Sequence, residues 1–372
     1  MSTPTIIVFV AVVAGRFLLP LLIFRYPLPA IIGCLVLDGY DQSIFQWFGY
    51  DPEGYQSYDK AMDVFYLAIA YIATLRNWTS MWAFRVGWFL YFYRLAGVVL
   101  FEVTQLRPLL LIFPNAFEYF FIAYEAIRTR WRVVGRSYRF WVALAAIIWI
   151  FVKLPQEYWI HVAKMDMSDT LRDHPWTIGA LLVLILVAAG VITLLARRFL
   201  GGPDHPLKLR ADPVPEEMNE ARERAAWTAR HAKVRSLATL EKIVLVGLVA
   251  VIYGHVLPDF TGSSFQLFVG IGIVVAVNAF YTIVASRRMW TVESAWAGFI
   301  GRLAFNVVFA FGADWLLNRG SGNLDLIDTF FFLSLISLMT SLHDRYRPVH
   351  AVRKRLVPEE ASRRELAKHA RV

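Results

Sequence analysis

Apolar residues in this chain do not alternate with polar ones. They run together in long blocks, roughly 5–24, 28–49, 60–75, 79–101, 108–124, 140–154, 176–196, 239–257, 264–285, 297–317 and 325–341. A hydrocarbon core of about 30 Å takes about twenty helical residues to cross, and most of these blocks reach that length. The pattern predicts an all-α, polytopic transmembrane helical bundle of about eleven spans. The blocks at 60–75 and 140–154 are short for a full crossing.

Composition agrees with the pattern. The chain is 58% hydrophobic and 18% charged, with a mean hydropathy of +0.49, whereas soluble domains run nearer 45–50% apolar with about a quarter charged. Its formal net charge of +9 therefore reports cytoplasmic loops before it reports nucleic acid. Cys34 is the single cysteine, which excludes an intrachain disulfide and any cysteine-based metal site. The first 24 residues lack a basic leader and a small-residue cleavage site, so they read as a retained first span rather than a signal peptide.

Basic residues then orient the spans. Arg128, Arg130, Arg132, Arg136 and Arg139 follow the fifth block, and a long basic loop from Arg197 to Arg235 follows the seventh. Arg287 and Arg288 follow the ninth, and HDRYRPVHAVRKR follows the eleventh. Alternating spans put all four on one side, which the positive-inside rule makes cytoplasmic. The N-terminus is then outside and the C-terminus cytoplasmic, in a multi-pass protein of the plasma (inner) membrane. The expected divisions are an N-terminal membrane bundle at 1–175, a connecting span at 176–196, and a cytoplasmic linker with an amphipathic helix at 197–238. A C-terminal bundle at 239–345 and a basic tail at 346–372 follow.

In the cytoplasmic segment, EEMNEARERAAWTARHAKVRSLATLEK reads as one helix with Glu220 and Arg224 paired at i,i+4. It reads either as a solvated helix or as one lying on anionic lipid headgroups with Trp227 as its anchor. The bilayer itself is the expected partner, and nucleic acid is not.

The chemistry gathers between Leu28 and Glu125, where spans carry charges that cost about 2.5–3.5 kcal/mol each at the bilayer centre. Depths counted along the spans give two layers. Arg16, Asp38, Asn115, Glu118 and Arg85 fall near the middle; Asp41, Asp63, Arg94, Glu102 and Arg107 fall towards the outside. Each layer has both signs, as buried charge requires. Glu157 and His161 stand four apart at the outer surface, spacing suited to a proton relay or a metal. No metal site is assigned, and the identity of any cofactor is left unknown. Tyr and Trp around Arg85 and Arg94 suit interfacial belts and hydrogen bonding to those charges.

The pairs Asp38–Asp41 and Asp59–Asp63 resemble in part the two Asp-rich helices with which prenyltransferases bind magnesium diphosphate. The N-D-x-x-D run of that superfamily is missing here, and both pairs lie in one half of the chain, so the chain is not placed in it. Three functions remain open on the sequence. One is transport of a small anionic or proton-coupled substrate through a charged intramembrane cavity. Another is a membrane-embedded enzyme acting on a lipid-linked phosphate or isoprenoid. The third is a non-catalytic membrane partner subunit.

Overall fold

The computed structural model describes residues 3–50, 55–106, 108–161, 176, 179, 183, 198–256, 263–318 and 326–369. Every regular element among the described residues is helical. In chain order the α-helices are α1 (Thr3–Leu18), α2 (Pro27–Trp47), α3 (Tyr55–Asn77), α4 (Met81–Thr104), α5 (Pro108–Ile112), α6 (Ala116–Arg128), α7 (Tyr138–Ile148) and α8 (Leu154–His161), the last two joined by a π-helical turn at Trp149–Lys153. Then come α9 (Ala221–His231), α10 (Leu237–Val256), α11 (Ser264–Arg287), α12 (Ala295–Asn318) and α13 (Leu326–His369).

Among the described residues, seven stretches are long and apolar enough to cross a membrane: Thr3–Phe24, Met81–Thr104, Pro108–Arg128, Tyr138–Tyr158, Leu237–His255, Ser264–Arg287 and Ala295–Gly312. The expected spans at 28–49 and 60–75 are helices α2 and α3, but their aspartates and basic residues keep them outside that set. The block at 176–196 falls almost wholly outside the described residues. The block at 325–341 forms the start of the 44-residue α13.

Local signals explain several boundaries. Proline opens α2, where a missing N–H costs nothing. After α1, Leu19–Phe24 tightens into a 3-10 helix with proline in its first turn. The carbonyls at its end are taken by α3: the Arg76 guanidinium donates to Phe24 O at 2.8 Å and the Asn77 amide to Ile23 O at 3.0 Å. Ser137 caps α7 by accepting from Phe140 N at 3.2 Å.

The chain divides into two compact units, residues 1–84 with 210–372, and residues 85–209. In the first, α3 is the buried centre. Ala61, Phe65, Ala68, Ile69, Ala70, Ile72, Ala73 and Leu75 are almost wholly enclosed, and α13, α10 and the 3-10 turn pack on this helix. Small residues on α3 let those neighbours approach, which suits helix packing in lipid. α10 and α11 form an antiparallel pair, and α12 lies on α13. In the second unit α5 packs on α8 and α6 on α7. Gly97 of α4 is required by its neighbour, since a Cβ there would lie 2.1 Å from the Cβ of Phe113.

The helix expected between Glu216 and Lys242 differs from its sequence reading. It is broken: Glu220 and Glu223 form a capping box that starts α9, and Ala232 leaves the helix with an extended ψ of 140°. Glu220 thus caps rather than pairing one turn on. Arg224 donates instead to the carbonyls of Met218 and Asn219, at 2.8 and 2.6 Å. Trp227 packs beside Met218, Val349 and Val352 and stacks on His231, with ring centroids 4.8 Å apart, so its ring is engaged by protein.

Candidate functional site

Arg16 sits two residues from the end of α1, buried among the following helices. Asp38 and Asp41 lie one turn apart on α2, and Asp59 and Asp63 one turn apart on α3. All four carboxylates reach the same guanidinium. Asp38 accepts from Nη1. Asp59 and Asp63 lie 3.2 and 3.5 Å from Nη2, and Asp41 lies 3.6 Å from Nε. The depth count along the spans put Arg16 and Asp38 in a different layer from Asp41 and Asp63. The long arginine side chain spans that interval, and the four acids form one cluster.

The four acids are not equivalent. The Asp41 side chain is completely enclosed and accepts from the Tyr55 hydroxyl. Asp38, Asp59 and Asp63 keep 22, 33 and 25% of their side-chain surface exposed. These three offer oxygens that all lie within 4.8 Å of one another, a spacing in which one cation could be shared. The sequence reading assigned no metal there, because the N-D-x-x-D run is missing and both pairs lie in one half of the chain. Two tyrosines flank the group. Tyr58 and Tyr253 have buried hydroxyls with no hydrogen-bond partner among the described residues. Both are within electrostatic reach of Arg16, and Tyr253 also of Asp63.

Asp59 and the tyrosines were not among the candidate residues. Asp59 precedes the apolar block at 60–75 and enters the sequence reading only as the partner of Asp63 in the likeness to Asp-rich helices. Tyr253 comes from α10, nearly two hundred residues after the acids, and no local signal joins it to them.

The other candidates belong to the second unit. Asn115 precedes α6; its amide donates to Glu118 Oε2 at 2.8 Å and its backbone N–H to Glu157 Oε1 at 3.3 Å. Lys153, absent from the sequence candidates, completes this group 3.6 Å from Glu157 and over the ring of Tyr119 at 4.7 Å. Arg94 donates to Phe113 O at 2.9 Å, which satisfies a carbonyl freed by the break between α5 and α6. Glu102 is buried near the end of α4, and Arg85 is exposed on the same helix. The side chain of His161, and Arg107 as a whole, fall outside the described residues.

A second buried charged group lies within the first unit. Asp344 of α13 accepts from Lys242 at 2.5 Å, from Arg302 at 2.8 Å and from Thr282 at 3.0 Å. A neutral ladder adjoins it in sequence: Asn278 donates to Asn306 at 2.6 Å, and Asn306 to Ser337 at 2.8 Å. The chain matches no protein-family model, no curated protein and no solved structure.

Proposed function

We propose that the protein is a multi-pass membrane transport protein in which the Arg16 cluster carries protons, or a cation in their place, coupled to substrate movement. The observation that carries this reading is the ratio of four aspartates to one arginine. One guanidinium neutralises one carboxylate. Three further negative charges in a site of low dielectric are too costly to keep without cations, and protons are the cations always present. The excess sign favours the proton-coupled form of transport over a binding site for an anion. Partial exposure of Asp38, Asp59 and Asp63 gives those cations a way in. The topology that accompanies this reading has about eleven spans in the plasma membrane, with the N-terminus outside and the C-terminus cytoplasmic.

The test is proton flux into proteoliposomes loaded with a pH-sensitive dye, driven by a potassium–valinomycin potential. Wild-type protein is expected to acidify the lumen faster than protein-free vesicles, and Asp63→Asn to abolish the difference. Equal rates in wild-type and empty vesicles sink the transport reading.

One observation favours a second reading, an enzyme acting on a lipid-linked phosphate. A divalent ion shared by Asp38, Asp59 and Asp63 would bind phosphate oxygens as a Lewis acid. Manganese binding followed by electron paramagnetic resonance separates the two. A site of defined stoichiometry lost in Asp59→Asn supports the enzyme, and no binding at millimolar metal removes it.

A further inference from the structure

Outside the Arg16 cluster, the same unit contains a polar cleft of about 170 Å³, far above the roughly 10–15 Å³ that a single water needs. It lies where α9, the end of α11, the start of α12 and the middle of α13 meet. Three arginines from three different helices line it, Arg224, Arg302 and Arg345, with Asp344 as the one carboxylate in the lining.

The charges do not balance. Asp344 is already held by Lys242 and Arg302. Arg345 donates to the main-chain oxygen of Glu293 at 3.1 Å. Arg224 has a carboxylate, that of Glu293, only at 3.6 Å, and Glu293 is mostly exposed. A buried Nη2 on Arg224 has no hydrogen bond among the described residues, nor does the Ser341 hydroxyl in the wall. Burial, and the like charge of Arg345 beside it, push the Arg224 guanidinium below its ordinary value. Two adjacent cations with donors to spare call for an anion.

The helix end adds to this. Ser294 in the lining precedes α12, and Ala295 and Gly298 lie in its first turn; Ser294 takes the N–H groups of Ala297 and Gly298, and the helix dipole at this end favours negative charge. Position narrows the class of anion. The cleft sits at the short link between α11 and α12, both long and apolar enough to cross a membrane. Trp290 and Trp296 are exposed beside it, as aromatic residues are at the membrane–water boundary. That is the depth of lipid phosphates.

We propose that this cleft binds a phosphate group, carried by an anionic membrane lipid or free in solution, between Arg224, Arg345 and the first turn of α12. The site is independent of the transport reading and stands or falls without it.

The test uses the full chain in mild detergent, with phosphatidic acid, phosphatidylcholine and inorganic phosphate as probes, read by native mass spectrometry and by titration. Arg224→Gln with Arg345→Gln removes the paired cations. Gly298→Glu is the second variant: a Cβ there meets nothing within 4 Å, so the position has room for a side chain that places a carboxylate at the cleft, with circular dichroism checking the fold. Retention of phosphatidic acid over phosphatidylcholine, weakened at least about tenfold in both variants but kept in Arg345→Lys, establishes the lipid form. Binding of inorganic phosphate with the same variant dependence, and no lipid retained, establishes the free form. Equal retention of both lipids, or affinities unchanged in Gly298→Glu, overturns the proposal.

Discussion

The Arg16 cluster and the Asp344 cluster are both buried charge groups within one compact unit, and they differ in the sign left over. Around Arg16, four carboxylates share one cation. Around Asp344, one carboxylate is shared by Lys242 and Arg302. The first group keeps three acids partly exposed, while the second is tied into its helices by short bonds and borders a cleft lined by further arginines. The first group is left with an excess of negative charge and the second with an excess of positive charge, the basis of the cation and anion proposals above.

The comparison can be broken most forcefully at Arg16. Arg16→Ala leaves four acids without their only guanidinium and should cost at the upper end of the about 3–5 kcal/mol typical of breaking a buried charge group. The expected outcome is loss of monodisperse protein on gel filtration, with Arg16→Lys recovering part of it. Asp344→Asn is expected to cost about 3 kcal/mol, because Lys242 and Arg302 then repel across a neutral amide. A melting temperature equal to wild type would show that those two cations have another partner.

Asp59→Asn gives the sharpest contrast. Removing one carboxylate from an overfilled group is expected to raise the melting temperature, by about 1 kcal/mol of stability, while proton flux falls. Opposite signs for Asp59→Asn and Asp344→Asn are the signature of the difference; two losses of similar size would erase it.

A smaller effect concerns pH. His350, beyond the apolar part of α13, lies against Phe84 with ring centroids 4.0 Å apart. Burial, aided by Arg347, holds its imidazole down to about 3. The unfolded chain takes up this proton near the ordinary 6.5 and the folded chain does not. His350 therefore contributes no penalty above that value and lowers stability progressively as pH falls from about 6.5 towards 3. His350→Phe should flatten the melting-temperature profile over that window, by about 0.8 kcal/mol at pH 6 and by more below it.

Much of the architecture was legible because length and hydropathy act locally. The helices at 3–24, 81–104, 108–128, 237–255 and 264–287 follow from apolar runs and their flanking proline, serine and glycine. The site was legible in part. Arg16, Asp38, Asp41 and Asp63 stand out as charges within apolar surroundings, but Asp59 precedes its apolar block and Lys153 looks like an ordinary loop residue. The pairing of Glu220 with Arg224 was plausible by spacing and did not form, because Glu220 satisfies the open N–H groups at the start of α9. Capping competes with side-chain pairing, and spacing alone does not say which prevails.

By itself, the sequence determined that this chain is helical and rich in segments able to cross a membrane, and that those segments carry charges no lipid-facing helix would keep. That follows from the cost of bare backbone and bare charge in hydrocarbon, which each segment meets alone. Only the tertiary structure decided how the charges combine. It brought two pairs of aspartates from two helices onto one arginine of a third. It also brought arginines from α9, α12 and α13 to one cleft. The sign of each group is a sum over helices far apart in the chain, and close packing alone sets which charges enter that sum.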